Sequence, residues 1–239
     1  MIDSHAHLDL LDDPDGAVAR ARATGVTRIL TIGARDAVEL ADAHDDVYAV
    51  VGIHPHEAGA EHDLDELRAL HAHPKVVAVG EIGLDHYRDY APHDAQQRLF
   101  AAQLDLAREL GKPVVIHTRA ADEPTLAELE RFDGTVVLHC FSSPQLLPAA
   151  LERRWYVSFA GNVTYKNAPE LRLAASQVPA DRILAETDCP YLAPQPVRGK
   201  ANEPAYVVHT LETLAQVRGE EAAELAARID ENANACFEL

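Results

Sequence analysis

The stretch VVAVGEI, residues 76–82, is an apolar run interrupted by one glycine and one carboxylate, Glu81. Consecutive Val and Ala leave no polar face, so the run predicts a strand buried on both sides, as in a parallel sheet. Other strand candidates lie before and after it, several of them similar runs: Met1–His7, Thr27–Ile32, Val47–Ile53, Pro113–His117, Thr135–His139, Trp155–Phe159 and Arg182–Thr187. Stretches with helical patterning separate them, at Pro14–Thr24, Ala34–His44, Leu64–His73, Pro92–Leu110, Glu123–Arg131, Pro144–Arg153, Pro169–Gln177 and Pro204–Val217. A last helix is expected from about Glu220 to Ala235. Pro14, Pro92, Pro144, Pro169 and Pro204 suit first turns, and Gly25 and Gly111 suit helix C-caps. Eight strand–helix units in 239 residues predict an α/β fold of the TIM-type (β/α)8 barrel kind with an extra C-terminal helix. Residues 1–239 are expected to form one domain. No glycine-rich phosphate fingerprint follows the first strand, which argues against an open dinucleotide-binding sheet.

Several of the expected strands end on a residue that can bind metal. His5 and His7 sit at the end of the first, Glu81 near the end of the fourth, and His117 and His139 at the ends of the fifth and sixth. Asp188 follows the eighth, which lies beside the first in a closed barrel. Strand C-termini share one face of a barrel, where active sites form. Alternation places His5 and His7 on one side of their strand, about 6–7 Å apart along the backbone. A carboxylate closing an apolar strand needs a partner for its charge, and a cation is one. The pattern predicts two cation sites. One takes His5, His7, Asp188 and one oxygen of Glu81; the second takes the other Glu81 oxygen, His117 and His139. Asp188 can alternatively serve as the base that orients a water. Mixed imidazole and carboxylate donors suit Zn²⁺ or Mn²⁺, with Mg²⁺ admitted if waters complete its shell. Paired cations about 3.5–4 Å apart are a device for phosphoester hydrolysis. A metal-dependent hydrolase is therefore expected, with Glu81 and Asp188 as its catalytic carboxylates.

Composition narrows the setting. There are 39 acidic against 21 basic side chains, a net charge of -18. Such a surface repels nucleic acid at low salt and suits a salt-rich cytoplasm, where the repulsion is screened. Cys140, Cys189 and Cys236 are an odd number without regular spacing, which suits a reducing compartment. No run of about 18 apolar residues predicts a membrane span. The opening MIDSHAHLDL has neither a basic segment nor an apolar core, so no signal peptide is expected. A cytoplasmic protein without an obligate protein partner is the expectation.

The chain resembles the TatD family of metal-dependent hydrolases, within the amidohydrolase-like superfamily. The segments that carry the likeness are DSHAHLD (3–9), GIHPHE (52–57), GEIGLDHYR (80–88), PVVIHTR (113–119), HCFS (139–142), SFAGNVTYKNA (158–168), ETDCPYL (186–192) and RGKANEP (198–204). They span the chain in order. The resemblance implies a deoxyribonuclease-type activity on DNA phosphodiester bonds. It also implies metal ligation by His5, His7, Glu81, His117, His139 and Asp188, the same six reached from strand ends. The chain departs from the family at Ala120-Ala121, where many relatives place an acidic residue first, and at Ser143, where glycine is common. Neither position is a ligand, so these departures bear on loop shape and substrate contacts.

Other residues have secondary expectations. His54 and His56 can contact a phosphate or support the ligands. Arg119 and Arg198 can grip phosphate, because a guanidinium matches it bidentately. Glu186 and Asp85 can orient ligand histidines or cap helices. Strand alternation is expected to turn Cys140 and Cys189 away from the mouth. His44, His62, His71, His73, His93 and His209 are expected at the surface, and Trp155 in the core. Two further functions compete with DNA hydrolysis. One keeps the metals and acts on an ester or amide, as in deacylation of aminoacyl-tRNA; the other is an interaction module without activity.

Overall fold

The computed structural model describes residues 1–239. Its eight strands are β1 (Ile2–Ala6), β2 (Arg28–Gly33), β3 (Val47–Val51), β4 (Val76–Asp85), β5 (Val114–Arg119), β6 (Val136–Leu138), β7 (Tyr156–Phe159) and β8 (Ile183–Ala185). They pair in parallel in chain order from β1 to β8. The helices between them are α1 (Pro14–Ala23), α2 (Arg35–Ala43), α3 (Leu64–Leu70), α4 (His93–Leu110), α5 (Asp122–Leu129), α6 (Leu147–Glu152), α7 (Pro169–Gln177) and α8 (Val207–Arg218). A ninth, α9 (Ala222–Phe237), completes the chain. This is the expected (β/α)8 barrel with its extra helix. β6 and β8 are buried at every position, which is why their sequences, VVL and ILA, are continuous apolar runs; β1 is as deeply buried but carries Asp3, Ser4 and His5.

The ring closes between its last and first strands. Ala6 bridges Cys189 in parallel, His7 N donates to Cys189 O at 2.9 Å, and Asp188 N donates to His5 O at 2.9 Å. Closure therefore fixes His5, His7 and Asp188 side by side through backbone bonds.

Two strands run further than their sequences suggested. β4 continues to Asp85 and β5 to Arg119, so Glu81 and His117 lie inside strands rather than at their tips. The register explains how Glu81 still faces the mouth. Gly80 pairs with Val115 and Ile82 with Ile116, leaving Glu81 as the extra residue of a bulge. A bulge re-aims one side chain without ending the strand. Another register shift lies between Asp3 and Ala6 on β1, the segment that holds His5. Beyond Glu81, Gly83 has φ +142°, and a Cβ there would lie 2.0 Å from the carbonyl oxygen of His117. Only glycine lets β5 approach β4 so closely at this level.

Smaller differences follow local chemistry. The segments beginning at Pro144 and Pro204 open with 3-10 turns before α6 and α8. Pro92 is the residue before the first turn of α4, with extended ψ. Gly111 caps α4 in the left-handed conformation, and Gly25 follows α1 at φ +88°. Trp155 is buried in the core, beside the start of β7. No helix is long and apolar enough to cross a membrane.

Candidate metal centre

Glu81 is the hub of the mouth. Its carboxylate is 5% exposed and its two oxygens face different histidines. Oε2 lies 3.4 Å from His5 Nε2 and 3.7 Å from His7 Nε2. Oε1 lies 2.6 Å from His117 Nδ1, 2.7 Å from His139 Nε2 and 3.6 Å from His54 Nε2. Asp188 joins the first side, with Oδ1 3.8 Å from His5 Nε2 and 3.6 Å from His7 Nε2. The structure thus brings together all six side chains that the strand ends singled out. It adds His54, which the sequence reading left among the substrate contacts.

Three sets of donors are close enough to share an ion: His5 with His7 and Glu81; His5 with His139 and Asp188; and His54 with Glu81 and His117. His139 lies between the two sides, its ring stacked on His5 at 3.9 Å. Both ring nitrogens of His5 are buried without a hydrogen-bond partner. A buried, unpartnered imidazole nitrogen aimed at two carboxylates fits a cation ligand.

The backbone is unusual at this level. Asp188 has φ +55° and Cys140 φ +44°, both outside glycine's usual monopoly on the left-handed region. Such conformations cost about 1–3 kcal/mol each and persist where surrounding structure fixes them. At Asp188 the fixing bond is the one to His5 O. At Cys140, the backbone N donates to Glu186 Oε1 at 2.7 Å.

The charges set one another. Burial works to raise the Glu81 carboxyl, but the rings of His139, His54 and His117 outweigh it and hold Glu81 well below the usual range. Burial works to lower His139, yet Glu81 and Glu186 push it well above an ordinary histidine. His117 is raised against burial by Glu81 and Asp85. His7 is raised against burial by Asp188 and Glu81. His5 alone among these four rings is lowered, by burial and by His139. Asp188 is held low, against burial, chiefly by its bond to His7 and the charge of His139. Cation ligation requires these imidazoles to be neutral, so a cation and the protons favoured on His7, His117 and His139 compete for the same carboxylates.

Two carboxylates stand behind the histidines. Glu186 Oε1 lies 3.2 Å from His139 Nδ1. Asp85 Oδ2 lies 2.8 Å from His56 Nε2 and 3.3 Å from His117 Nε2, and its Oδ1 accepts from the backbone N–H of Tyr87 and Arg88. His117 and His56 overcome burial and hold Asp85 far below the usual range. His56 is thereby tied to Asp85, while His54 points at Glu81. Deeper still, Asp3 is fully buried and accepts from Thr187 N and Thr187 Oγ1; burial pushes its carboxyl up to about 8. Sequence patterning gave no sign of Asp3, because a carboxylate in the first residues of a chain usually lies in water.

The two arginines occupy separate parts of the rim. Arg119 ends β5, with its guanidinium 4.1 Å over the ring of Tyr87. Arg198 lies 3.9 Å over the ring of Tyr165. Neither touches the Glu81 cluster directly.

Two expectations need correction. The Cys140 thiol is not turned away: its left-handed backbone brings it beside Asp188, and burial together with the charges of Asp188, Glu186 and Glu81 pushes the thiol well up. His71 is not at the surface. It is 4% exposed at the end of α3, on the barrel floor. Cys189 is buried, and none of the three cysteines forms a disulfide.

A parallel (β/α)8 barrel with imidazoles and carboxylates meeting at its C-terminal mouth defines the class of metal-dependent barrel hydrolases. The sequence profile of the TatD related DNase family matches residues 2–238, and the chain belongs to this family. It is 38% identical to an uncharacterized metal-dependent hydrolase, YabD, of Bacillus subtilis, over 100% of this chain and 99% of that one. It is 38% identical to the 3'-5' ssDNA/RNA exonuclease TatD of Salmonella typhimurium, covering 95% of this chain and 94% of that protein. Among solved structures, the TatD homologue YjjV of Escherichia coli superposes with a TM-score of 0.94 at 30% identity, over 100% of this chain and 98% of that one.

Proposed function

We propose that this protein is a metal-dependent phosphodiesterase that hydrolyses DNA at the mouth of the barrel. The observation that carries the reading is the split environment of Glu81, one oxygen facing His5 and His7 and the other facing His117, His139 and His54. That arrangement suits two divalent cations, Zn²⁺ or Mn²⁺ by donor type and Mg²⁺ if waters complete the shell. When bound, such cations supply Lewis acidity toward a phosphate oxygen and lower the pKa of water toward neutrality.

The chain's own groups do the rest. His5, His7, Glu81 and Asp188 would hold one cation, and Glu81, His117 and His139 the other. Asp188, kept ionised by its histidine neighbours, is the base that accepts a proton from the attacking water. Glu186 and Asp85 fix the rings of His139 and His117, so that each presents one nitrogen inward. His54 and His56 line the phosphate side, and Arg119 and Arg198 bind phosphates away from the centre. The Salmonella relative named a 3'-5' ssDNA/RNA exonuclease supports a nucleic-acid substrate attacked from an end. A net charge of -18 opposes broad duplex binding, and salt screening lessens the repulsion. The unpaired cysteines and the acidic surface support a reducing, salt-rich cytoplasm as the setting. Residues 1–239 act as one domain in this reading.

The test is turnover by metal-loaded protein on single-stranded DNA, duplex DNA, and ester and aminoacyl substrates across a range of salt. DNA hydrolysis that a chelator abolishes is expected. Acyl turnover without DNA turnover at every salt concentration would replace the reading with an acyl hydrolase. Protein that binds no divalent ion would replace it with an interaction module.

A further inference from the structure

Five large hydrophobic side chains are exposed in the whole chain: Leu10, Tyr87, Tyr90, Leu173 and Tyr191. Three are tyrosines on the loops that leave the C-terminal ends of β4 and β8, so their exposure is concentrated at the mouth. Folding gains nothing from leaving these rings in water, and grouped exposed apolar surface marks a binding site.

Their placement around the histidines is specific. Tyr90 meets His56 edge-on at 4.7 Å, and Tyr191 meets His7 edge-on at 6.2 Å. His56 lies against His54 at 4.2 Å and His54 against His117 at 4.6 Å; at the other side His7 lies 5.2 Å from His5. A continuous row of imidazoles thus runs through the Glu81 cluster, with an exposed tyrosine at each end. The Tyr90 end also carries cations: Arg88 lies 5.9 Å over Tyr90, and Arg119 lies 4.1 Å over the adjacent Tyr87. On a chain of net charge -18, guanidinium groups held on aromatic faces beside the site favour an anionic ligand with flat apolar parts.

We propose that Tyr90 and Tyr191 are stacking platforms for nucleobases on the two sides of the scissile phosphate, so that the site takes an unpaired strand end. The inference rests on the proposed nucleic-acid reading and names the part of the substrate that each end of the row recognises. Bases that stack on these rings cannot remain paired in a duplex, because their faces are occupied by protein. The platforms read flat π-surfaces rather than base edges, so they bind without strong sequence preference.

Binding is measured by fluorescence anisotropy with the full-length protein in magnesium. The probes are a labelled hexathymidylate with slowly cleaved phosphorothioate linkages and the same chain with abasic sites at its 3' end. Tyr90→Ala and Tyr191→Ala are each expected to weaken hexathymidylate binding about tenfold, the scale of one lost base–aromatic stack. The Phe variants are expected to keep wild-type affinity, and the abasic chain to bind all variants alike. Alanine variants that bind within twofold of wild type, or that weaken both probes equally, would overturn the platforms. Cleavage of an ordinary hexathymidylate is followed in parallel. Tyrosine-dependent binding without cleavage would sink the nuclease reading and leave the platforms standing. Cleavage with unchanged affinity in the alanine variants would do the reverse.

Discussion

His71 and His139 are both buried histidines, yet they sit at opposite ends of the barrel and differ in partners and in the direction of their pKa. His139, at the mouth, lies against Glu81 and Glu186 and is pushed well above an ordinary imidazole. His71, on the floor, has no hydrogen-bond partner on either ring nitrogen. Burial, with the charge of Lys112 nearby, lowers it to about 4. The same contrast holds for the ends as wholes. On the floor, cations are satisfied by fixed backbone carbonyls: Lys75 Nζ donates to Ala41 O and His44 O, Lys112 Nζ to His71 O and Val76 O, and Arg218 to Ala175 O and Val178 O. These close helix ends, where a cation also meets the helix dipole favourably. At the mouth, carboxylates and imidazoles crowd one another instead. A charge cluster that folding could have avoided, set where strands converge, makes the mouth the candidate functional end.

The comparison breaks first at Glu81. Glu81→Ala is expected to lower turnover at least about a thousandfold, because each lost cation removes several kcal/mol of transition-state stabilisation. Bound metal, measured by elemental analysis, should fall with it while the melting temperature in chelator does not. Retained turnover would show that Glu81 does not join two cations. The same centre should take up metal with proton release, since the raised His139 and His117 must lose protons first. Affinity should therefore rise with pH, and calorimetry in buffers of different ionisation enthalpy reads the number of protons. A pH-independent affinity would contradict this picture.

The next largest effect belongs to the floor. The folded pKa of His71 lies below the ordinary 6.5, so the unfolded chain binds the extra proton between pH 6.5 and about 4. The stability from His71 is complete above pH 6.5 and is lost as pH falls through about 4. A shift of this size corresponds to about 3 kcal/mol. His71→Leu should flatten the acid limb of stability in urea titrations at pH 7 and pH 4.5, without changing turnover. An unchanged acid limb would mean that His71 is protonated without cost.

Asp85→Asn should weaken metal binding by roughly 10- to 100-fold, the scale of losing a carboxylate behind a ligand histidine. Competition with a chelator measures it, and unaltered affinity would reduce Asp85 to a turn residue holding Tyr87 and Arg88. The smallest effect is expected at Lys75. Lys75→Met should cost about 1–2 kcal/mol of stability by uncapping two carbonyls, with turnover intact. A drop in turnover larger than the drop in stability would show that the floor is coupled to the mouth.

Much of this organisation is legible in the sequence. Strands buried on both faces are mostly apolar, so VVAVGEI and runs such as PVVIH and RILAET mark the barrel. A charged or imidazole residue at the end of such a run has few bland explanations, so six converging side chains could be named. What patterning missed depended on backbone geometry that neighbours impose. The sequence puts Glu81 near a strand tip because nothing local announces a bulge; the extra residue exists only in the pairing of β4 with β5. Alternation points Cys140 the wrong way because it fails at a left-handed φ. His54 could not be separated from His56, since only the fold directs one to Glu81 and the other to Asp85. The burial of His71 is not legible from helical periodicity, because its cover comes from residues distant in the chain.

The sequence by itself determined the alternation of strand and helix, the barrel fold and the chemical types gathered at its mouth. These follow from which residues tolerate burial, and burial is written in local composition. The tertiary structure decided which oxygen of Glu81 faces which histidine, which tyrosines stand at the ends of the imidazole row, and which buried histidine is pushed up and which down. Those outcomes depend on distances between residues far apart in the chain, and electrostatic interaction and hydrogen bonding change steeply over a few ångström.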